Sequence, residues 1–173
     1  MRLSEKIYEL LGSFIFSKVP RKFISKDELF QLTFDDNWVY SRKGNSFYNF
    51  HDTTDNLKGG LQFSFTWDVT LPETANDRDA MADIIYMNEN GKVEFQLTTV
   101  SDFQAIHYCK QYAESNMSFH YWYIYHERIL VVATFMIFNE EAVDVKDQWL
   151  QRVVEILGSL KMNDDKFRTT RMR

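Results

Sequence analysis

The chain is poor in cysteine, proline and glycine, with one Cys, two Pro and six Gly in 173 residues. A single Cys109 excludes an internal disulfide and a paired-thiol redox centre. So little proline and glycine leaves little material for long structureless linkers. No run approaches the roughly 18 consecutive apolar residues that a membrane-spanning helix requires. The early apolar patch from Leu10 to Phe16 is preceded by Glu5 and Glu9 and followed by no small-residue cleavage site, which argues against a secretory signal. Basic charge is also short. Twenty Lys and Arg face 25 Asp and Glu, a formal net charge of −5. A nonspecific nucleic-acid binder needs a basic face to displace counterions, so no nucleic-acid partner is expected. The small basic groups Lys18, Arg21, Lys22, Lys26 and Lys166, Arg168, Arg171, Arg173 read as solvated surface and chain terminus. The expectation is a cytoplasmic protein with no membrane segment.

Aromatic residues are abundant, at 16%: 15 Phe, 9 Tyr and 4 Trp. Rings of this number fill a bulky core, form a binding surface, or do both. With 45% hydrophobic and 26% charged residues the balance is that of a globular chain, and 173 residues suit one domain.

Periodicity divides the chain. Leu3, Ile7, Leu10, Leu11, Phe14 and Ile15 recur at helical spacing and predict a helix over 3–17, stopped by Pro20. Short strands follow over Phe23 to Ser25, Leu29 to Phe34, Trp38 to Arg42, Phe47 to Phe50 and Leu61 to Trp67. After Pro72 a helix is expected, capped by Asn76 or Asp77 and running to about Asn88. Val93 to Val100 reads as a further strand, and Phe103 to Tyr112 as a continuation of the sheet or a short helix. Phe119 to Phe138 is the most informative stretch. Phe119, Tyr121, Tyr123 and Tyr125 share one side, and Ile129 to Ile137 is apolar at nearly every position. A strand apolar on both faces must be covered on both faces, and the polar tip His126-Glu127-Arg128 demands an antiparallel hairpin. Val132 and Phe135 are both expected in the interior. A last helix is predicted from about Glu140 to Lys161, capped by Asn139, with Trp149, Leu150, Val153, Val154, Leu157 and Leu160 as its apolar stripe. The fold class is therefore α+β: an antiparallel sheet with helices on both faces, a three-layer α/β/α sandwich over 23–162. The N-terminal helix is an addition, and a mobile tail is expected over 163–173.

Three segments carry a resemblance. They are Phe30-Gln31-Leu32-Thr33-Phe34-Asp35-Asp36-Asn37-Trp38, the strand Gly59-Gly60-Leu61-Gln62-Phe63-Ser64, and the closing strand Ile129 to Phe138 with the helix end Val153 to Lys161. Together they resemble the PsbP-like, Mog-type α/β/α sandwich group, in particular its small bacterial members. The resemblance implies noncatalytic work. Members of the group serve as a photosystem accessory subunit and as a regulator of a small GTPase, and some small bacterial domains of this kind are suspected of protecting cells against toxins. No functional residue carries over, because the shared motifs are structural.

The residues themselves point to no reaction. There is no HExxH, CxxC or aspartate-rich calcium loop, and no GxSxG elbow. His107 and Cys109 share one strand face, the only hint of a metal site, and no metal or other cofactor is expected. The acidic pairs Asp35-Asp36 and Asp77-Asp79 suit turns and helix caps. The leading expectation is a noncatalytic protein-binding domain, of an immunity or regulatory type. The alternatives are a small-molecule module with an aromatic-lined pocket and an enzyme whose site is assembled from distant residues. The candidate partner surface comprises Trp67, Asp68, Glu73, Asp77 and Asp79, suited to a partner with a basic face.

Overall fold

The computed structural model describes residues 17–19, 21–35, 37–44, 46–53, 59–66, 77–127 and 129–166. The chain is an α+β protein built on two antiparallel sheets. The large sheet has eight strands in the order β1-β4-β5-β6-β10-β9-β8-β7. These are β1 (Ser17–Lys18), β4 (Trp38–Lys43), β5 (Phe47–Asp52), β6 (Gly59–Thr66), β7 (Phe95–Val100), β8 (Phe103–Tyr112), β9 (Met117–His126) and β10 (Ile129–Phe138). The small sheet has three, in the order β11-β3-β2: β2 (Lys22–Ile24), β3 (Phe30–Thr33) and β11 (Lys161–Met162). Two helices belong to the described residues, α1 (Asp77–Asn88) and α2 (Val143–Gly158).

The hairpin β9–β10 lies at the centre of the large sheet, in the register Ile129↔His126 to Phe138↔Met117. Its turn places Glu127 at φ 46. The pleat sorts β10 strictly: Ile129, Val131, Ala133, Phe135 and Ile137 are buried, while Leu130, Val132, Thr134, Met136 and Phe138 are half-buried. Phe135 is interior as expected. Val132 is not, because the period of two turns it to the other face.

The fully buried face meets the small sheet and α2 in one cluster. Phe23 and Phe30 from the small sheet, with Phe34 just after it, pack on Tyr48, Phe50, Phe63 and Phe65 at ring separations of 4.7–5.9 Å. From α2, Trp149, Val153, Ile156 and Leu157 point inward at spacings of four, three and one, one helical stripe. Trp149 lies 6.5 Å from Phe135 and 6.4 Å from Trp38. This face is thus covered by a second sheet as well as a helix, where helices alone were expected. The short strands around Lys26–Glu28, too brief to cross the large sheet, pair with each other and bring their rings down onto it.

The opposite face carries α1. Met81 and Ile85, one helical turn apart, are buried against Ile106 and Tyr108 of β8. That turns Asp79, Asp83 and Tyr86 outward. An Asn-Gly turn ends α1, with Asn90 at φ 53 and Gly91 at φ 66. A side chain at Gly91 would meet the Tyr86 ring at 2.8 Å, so glycine is required both for the backbone conformation and for the ring.

The helix predicted over 3–17 lies outside the described residues up to 16, and Ser17 belongs to β1. Helix α2 begins later than the pattern suggested. Its N-cap is Ala142, which offers no side-chain bond. Asn139 instead binds Ser118 and donates its backbone N–H to Asn116 at 2.9 Å, closing the end of the central hairpin. Of the tail, 167–173 lie outside the described residues. Residues 163–166 are held by Asn163 N–H to Leu29 O at 2.8 Å and by a Lys166–Glu28 ion pair at 2.8 Å.

Candidate functional site

Two groups of side chains on the large sheet hold chemistry, one on each face of β8 and β9. Their positions follow from register. Cys109 stands opposite His120, and His107 opposite Trp122, so alternation puts all four on the face that carries α2. His107 Nε2 lies 3.2 Å from His120 Nδ1, and His120 Nε2 lies 3.7 Å from Cys109 Sγ. His107 stacks on Trp122 at 4.7 Å. Burial pushes all three titratable groups toward their neutral forms. His120 falls from 6.5 to about 4, first through desolvation and then through the neighbouring His107. His107 is lowered and the Cys109 thiol raised by desolvation.

A neutral thiol beside a neutral imidazole is not an activated nucleophile, which needs the thiolate–imidazolium pair. Nor do the ligand atoms converge on one point, because His120 turns one nitrogen to His107 and the other to Cys109. The sequence therefore grouped His107 and Cys109 correctly, and folding adds His120 between them without creating a metal centre there. Among the described residues one other set of metal-capable groups comes together, His126, Glu127 and Asp164 at the tip of the central hairpin. There His126 Nε2 pairs with Asp164 Oδ1 at 2.8 Å.

Two outcomes follow from the neutral row. An unfolded histidine titrates near 6.5. Folded His120 takes up its proton only near pH 4. Between those values the unfolded state binds more protons, so stability should fall as the pH drops from about 6.5 toward 4 and stop falling on this account below that. His51 and His107 are shifted in the same direction by burial. Urea midpoints at pH 7 and 4.5 test this: His120→Asn should shrink the difference, and an unchanged difference contradicts it. Second, Cys109 is exposed, yet its thiol is held above its ordinary pKa. Its alkylation by iodoacetamide at neutral pH should be slower than that of free cysteine, and His120→Ala should leave the rate within about twofold. A rate above that of free cysteine would show an activated thiol.

The opposite face of the same strands carries a row of rings. Tyr112 meets Phe119 at 5.1 Å, Phe119 meets Tyr121 at 6.2 Å, and Tyr121 stacks on Tyr108 at 4.9 Å. Tyr108 in turn lies 5.9 Å from Tyr123. At the end of α1, Glu89 binds Lys110 Nζ at 2.5 Å and accepts from the Tyr108 hydroxyl at 3.4 Å. Lys110 also lies over the Tyr112 ring, 5.3 Å from its centre. Desolvation holds the Tyr108 and Tyr121 phenols protonated well above their usual range. The row is only half-buried: Tyr112 is 38% exposed, and Tyr86, at the end of α1, is 61% exposed. With Asp79 and Asp83 on the outer side of α1, this is an aromatic and acidic surface.

Of the residues singled out in the sequence, Trp67, Asp68 and Glu73 lie outside the described residues. Asp77 is the first residue of α1, and Asp79 is exposed on it. Sequence reasoning missed Tyr86, Tyr112 and the Glu89–Lys110 pair. The signal was present: Tyr108, Lys110 and Tyr112 alternate, as do Phe119, Tyr121 and Tyr123, across a short turn at 113–116. Pairing the two segments places both sets on one face.

Three grooves differ in size. One beside the small sheet, at Ile24, Phe30 and Met162, holds about 680 Å³, and one between the residues after α1 and β8, at Glu89, Phe95 and Tyr108, about 780 Å³. Both fall within the roughly 300–1,000 Å³ of small-molecule sites. The groove between α2 and β7–β9, floored by His107 and Trp122 and walled by Leu150, Val154 and Leu157, holds about 210 Å³. No helix among the described residues is long and apolar enough to cross a membrane.

No known sequence family matches the chain, and no curated protein matches it. Solved structures do. A Bacteroides thetaiotaomicron protein is similar over 83% of this chain at 15% identity and a TM-score of 0.57, and this chain spans 48% of its length. The Saccharomyces cerevisiae Ran-binding protein Mog1p matches over 87% of this chain and 99% of its own, at 10% identity and a TM-score of 0.58. Cyanobacterial PsbP (CyanoP) from Synechocystis matches over 86% and 92%, at 8% identity and a TM-score of 0.52. The chain has the fold of the PsbP/Mog-like group, as the three sequence segments implied.

Proposed function

We propose that the chain is a non-enzymatic domain that binds a protein partner through the α1 face of its large sheet, on a three-layer α/β/α frame in the cytoplasm. The observation that supports this most is the half-exposed row Tyr112–Phe119–Tyr121, continued by the exposed Tyr86 and bordered by Asp79 and Asp83. Rigid aromatic rings offer large contact area at low entropic cost and dominate binding hot spots. Carboxylates beside them steer a partner with a basic face. The surface extends toward Asp77, the first residue of α1. A Ran-binding protein shares the fold. That supports partner binding by analogy and leaves the partner's identity to experiment. An immunity-type or regulatory role is the finer form of this reading. The neutral Cys109–His120–His107 row supports the absence of catalysis.

The test separates folding from binding. The chain is cross-linked to its partner in its own cells, and association with the purified partner is then timed. Asp79→Lys with Asp83→Lys should keep the melting temperature and slow association, most at low salt. Tyr86→Ala with Tyr112→Ala should speed dissociation. Unchanged kinetics in both variants remove this face from the account.

A further inference from the structure

The tip of the central hairpin and the residues after β11 meet on one face of the large sheet. His126 ends β9 on the side of Trp122 and Ile124, both buried in the cluster shared with the small sheet and α2. Strand β11 belongs to that small sheet, and Asp164 follows its last residue, Met162, by two. His126 and Asp164 are 38 residues apart in sequence, so no local spacing announces their contact. His126 Nε2 lies 2.8 Å from Asp164 Oδ1, and Glu127 adds a second carboxylate from the hairpin turn. One ligand atom from each of the three side chains lies within 4.8 Å of the others. One imidazole nitrogen and two carboxylate oxygens are a donor set for a divalent cation of the zinc class. Both sides of the set are held in place. The His126 ring packs on Phe103 at 5.0 Å. The register Ile129↔His126 fixes the turn, with Glu127 at φ 46. Beside Asp164, Asn163 N–H donates to Leu29 O at 2.8 Å, and Lys166 pairs with Glu28 at 2.8 Å.

We propose that His126, Glu127 and Asp164 bind one zinc-class divalent cation, which staples the residues after β11 to the tip of the central hairpin. Glu127 is exposed and the Asp164 side chain is 46% exposed, so both carboxylates can turn onto an ion at the usual distance of about 2.0–2.2 Å. The imidazole selects zinc over magnesium and calcium, which take oxygen ligands. Three protein ligands leave a coordination position to water, the mark of an open and exchangeable site. His126 and Asp164 meet only through the fold, so the ion favours the folded chain and stabilises it by mass action. The site lies on the face opposite the partner-binding row, and its failure would leave that reading untouched.

Zinc titration of the full chain, purified without a histidine tag and stripped with chelator, tests the proposal by calorimetry and thermal melts. One ion per chain is expected, with a dissociation constant on the order of 10 μM. The melting temperature should rise by about 5–10 °C at about a hundredfold excess of zinc over that constant. A similar excess of magnesium should leave zinc binding within about twofold. His126→Gln, Glu127→Gln and Asp164→Asn keep polar groups at partly exposed positions. Each should weaken binding at least about tenfold, with the circular dichroism spectrum unchanged. His107→Gln with Cys109→Ser should leave the constant within about twofold. No saturable binding below about 1 mM zinc overturns the proposal. So does zinc binding that is lost with His107 and Cys109 and kept without His126, or magnesium that displaces zinc.

Discussion

Replacing Phe135 by aspartate is expected to abolish folding, while the same change at Val132 leaves a folded but weakened protein. Phe135 is 1% exposed and packs on Trp149. Its ring also comes within 2.9 Å of where a Gly59 side chain would begin, so the space around it is filled. A carboxylate placed there loses its hydration and finds no cation among these partners. The penalty of several kcal/mol, added to about 3–5 kcal/mol for the lost ring, matches the roughly 5–15 kcal/mol that holds a domain folded. Val132 lies three residues away on the other side of the pleat, beside Ser64 and Tyr123, and is half-buried. A carboxylate there keeps contact with water, and a loss of about 1–3 kcal/mol is expected. Far-UV circular dichroism and urea melts of the two variants decide it. Equal damage at both positions would mean that the two faces of β10 are equally dry.

The second large effect is expected at Arg152. Its guanidinium lies 2.7 Å from Asp52 Oδ2 and 2.5 Å from Asp35 Oδ2, with its plane over Trp149 at 5.1 Å. Asp35 is fixed in turn by the Trp38 indole N–H, which donates to Oδ1 at 2.6 Å. Asp52 has a side chain with 0% exposure. Removing the cation leaves a buried carboxylate with its main counter-charge gone, which typically costs about 3–5 kcal/mol. Arg152→Ala should therefore lower the urea midpoint far more than a helix-surface substitution such as Gln151→Ala. Asp52→Asn in the same background should recover part of the loss, because it removes the buried charge itself. If Arg152→Ala behaves like a surface change, the network is ornamental and α2 is held by Trp149, Val153, Ile156 and Leu157 alone.

Local pattern made the central hairpin legible: a polar tip between apolar strands has few other solutions, and the structure places both strands within two residues of expectation. Strands β4 to β7 were readable for the same reason, through alternation and turn residues, while Phe103 to Tyr112 was open between strand and short helix and folds as β8. The small sheet was not. The segments around Phe23 and Phe30 look like members of the main sheet because their burial pattern is the same, and only tertiary packing sends them to a separate layer. The start of α2 was misplaced because Asn139 satisfies a cap pattern, while the hairpin claims its side chain and backbone first. For the site, alternation alone put His107 beside Cys109. His120 joined them only through the β8–β9 register, which a single sequence does not supply. The aromatic row was read from the sequence as core. Exposure depends on what covers a face, and α1 covers the row near Met81 and Ile85 but stops short of Tyr112 and leaves Tyr86 outside.

Site-specific photo-cross-linking in living cells tests the central claim most directly. A benzophenone side chain placed at Tyr86 or Tyr112 should capture one and the same protein, and a benzophenone at Glu155 or Asp147 on α2, across the sheet, should not. Asp79→Lys with Asp83→Lys should reduce the yield from both productive positions. Capture from the α2 positions alone, or no discrete product from Tyr86 and Tyr112, would contradict the assignment of partner binding to this face.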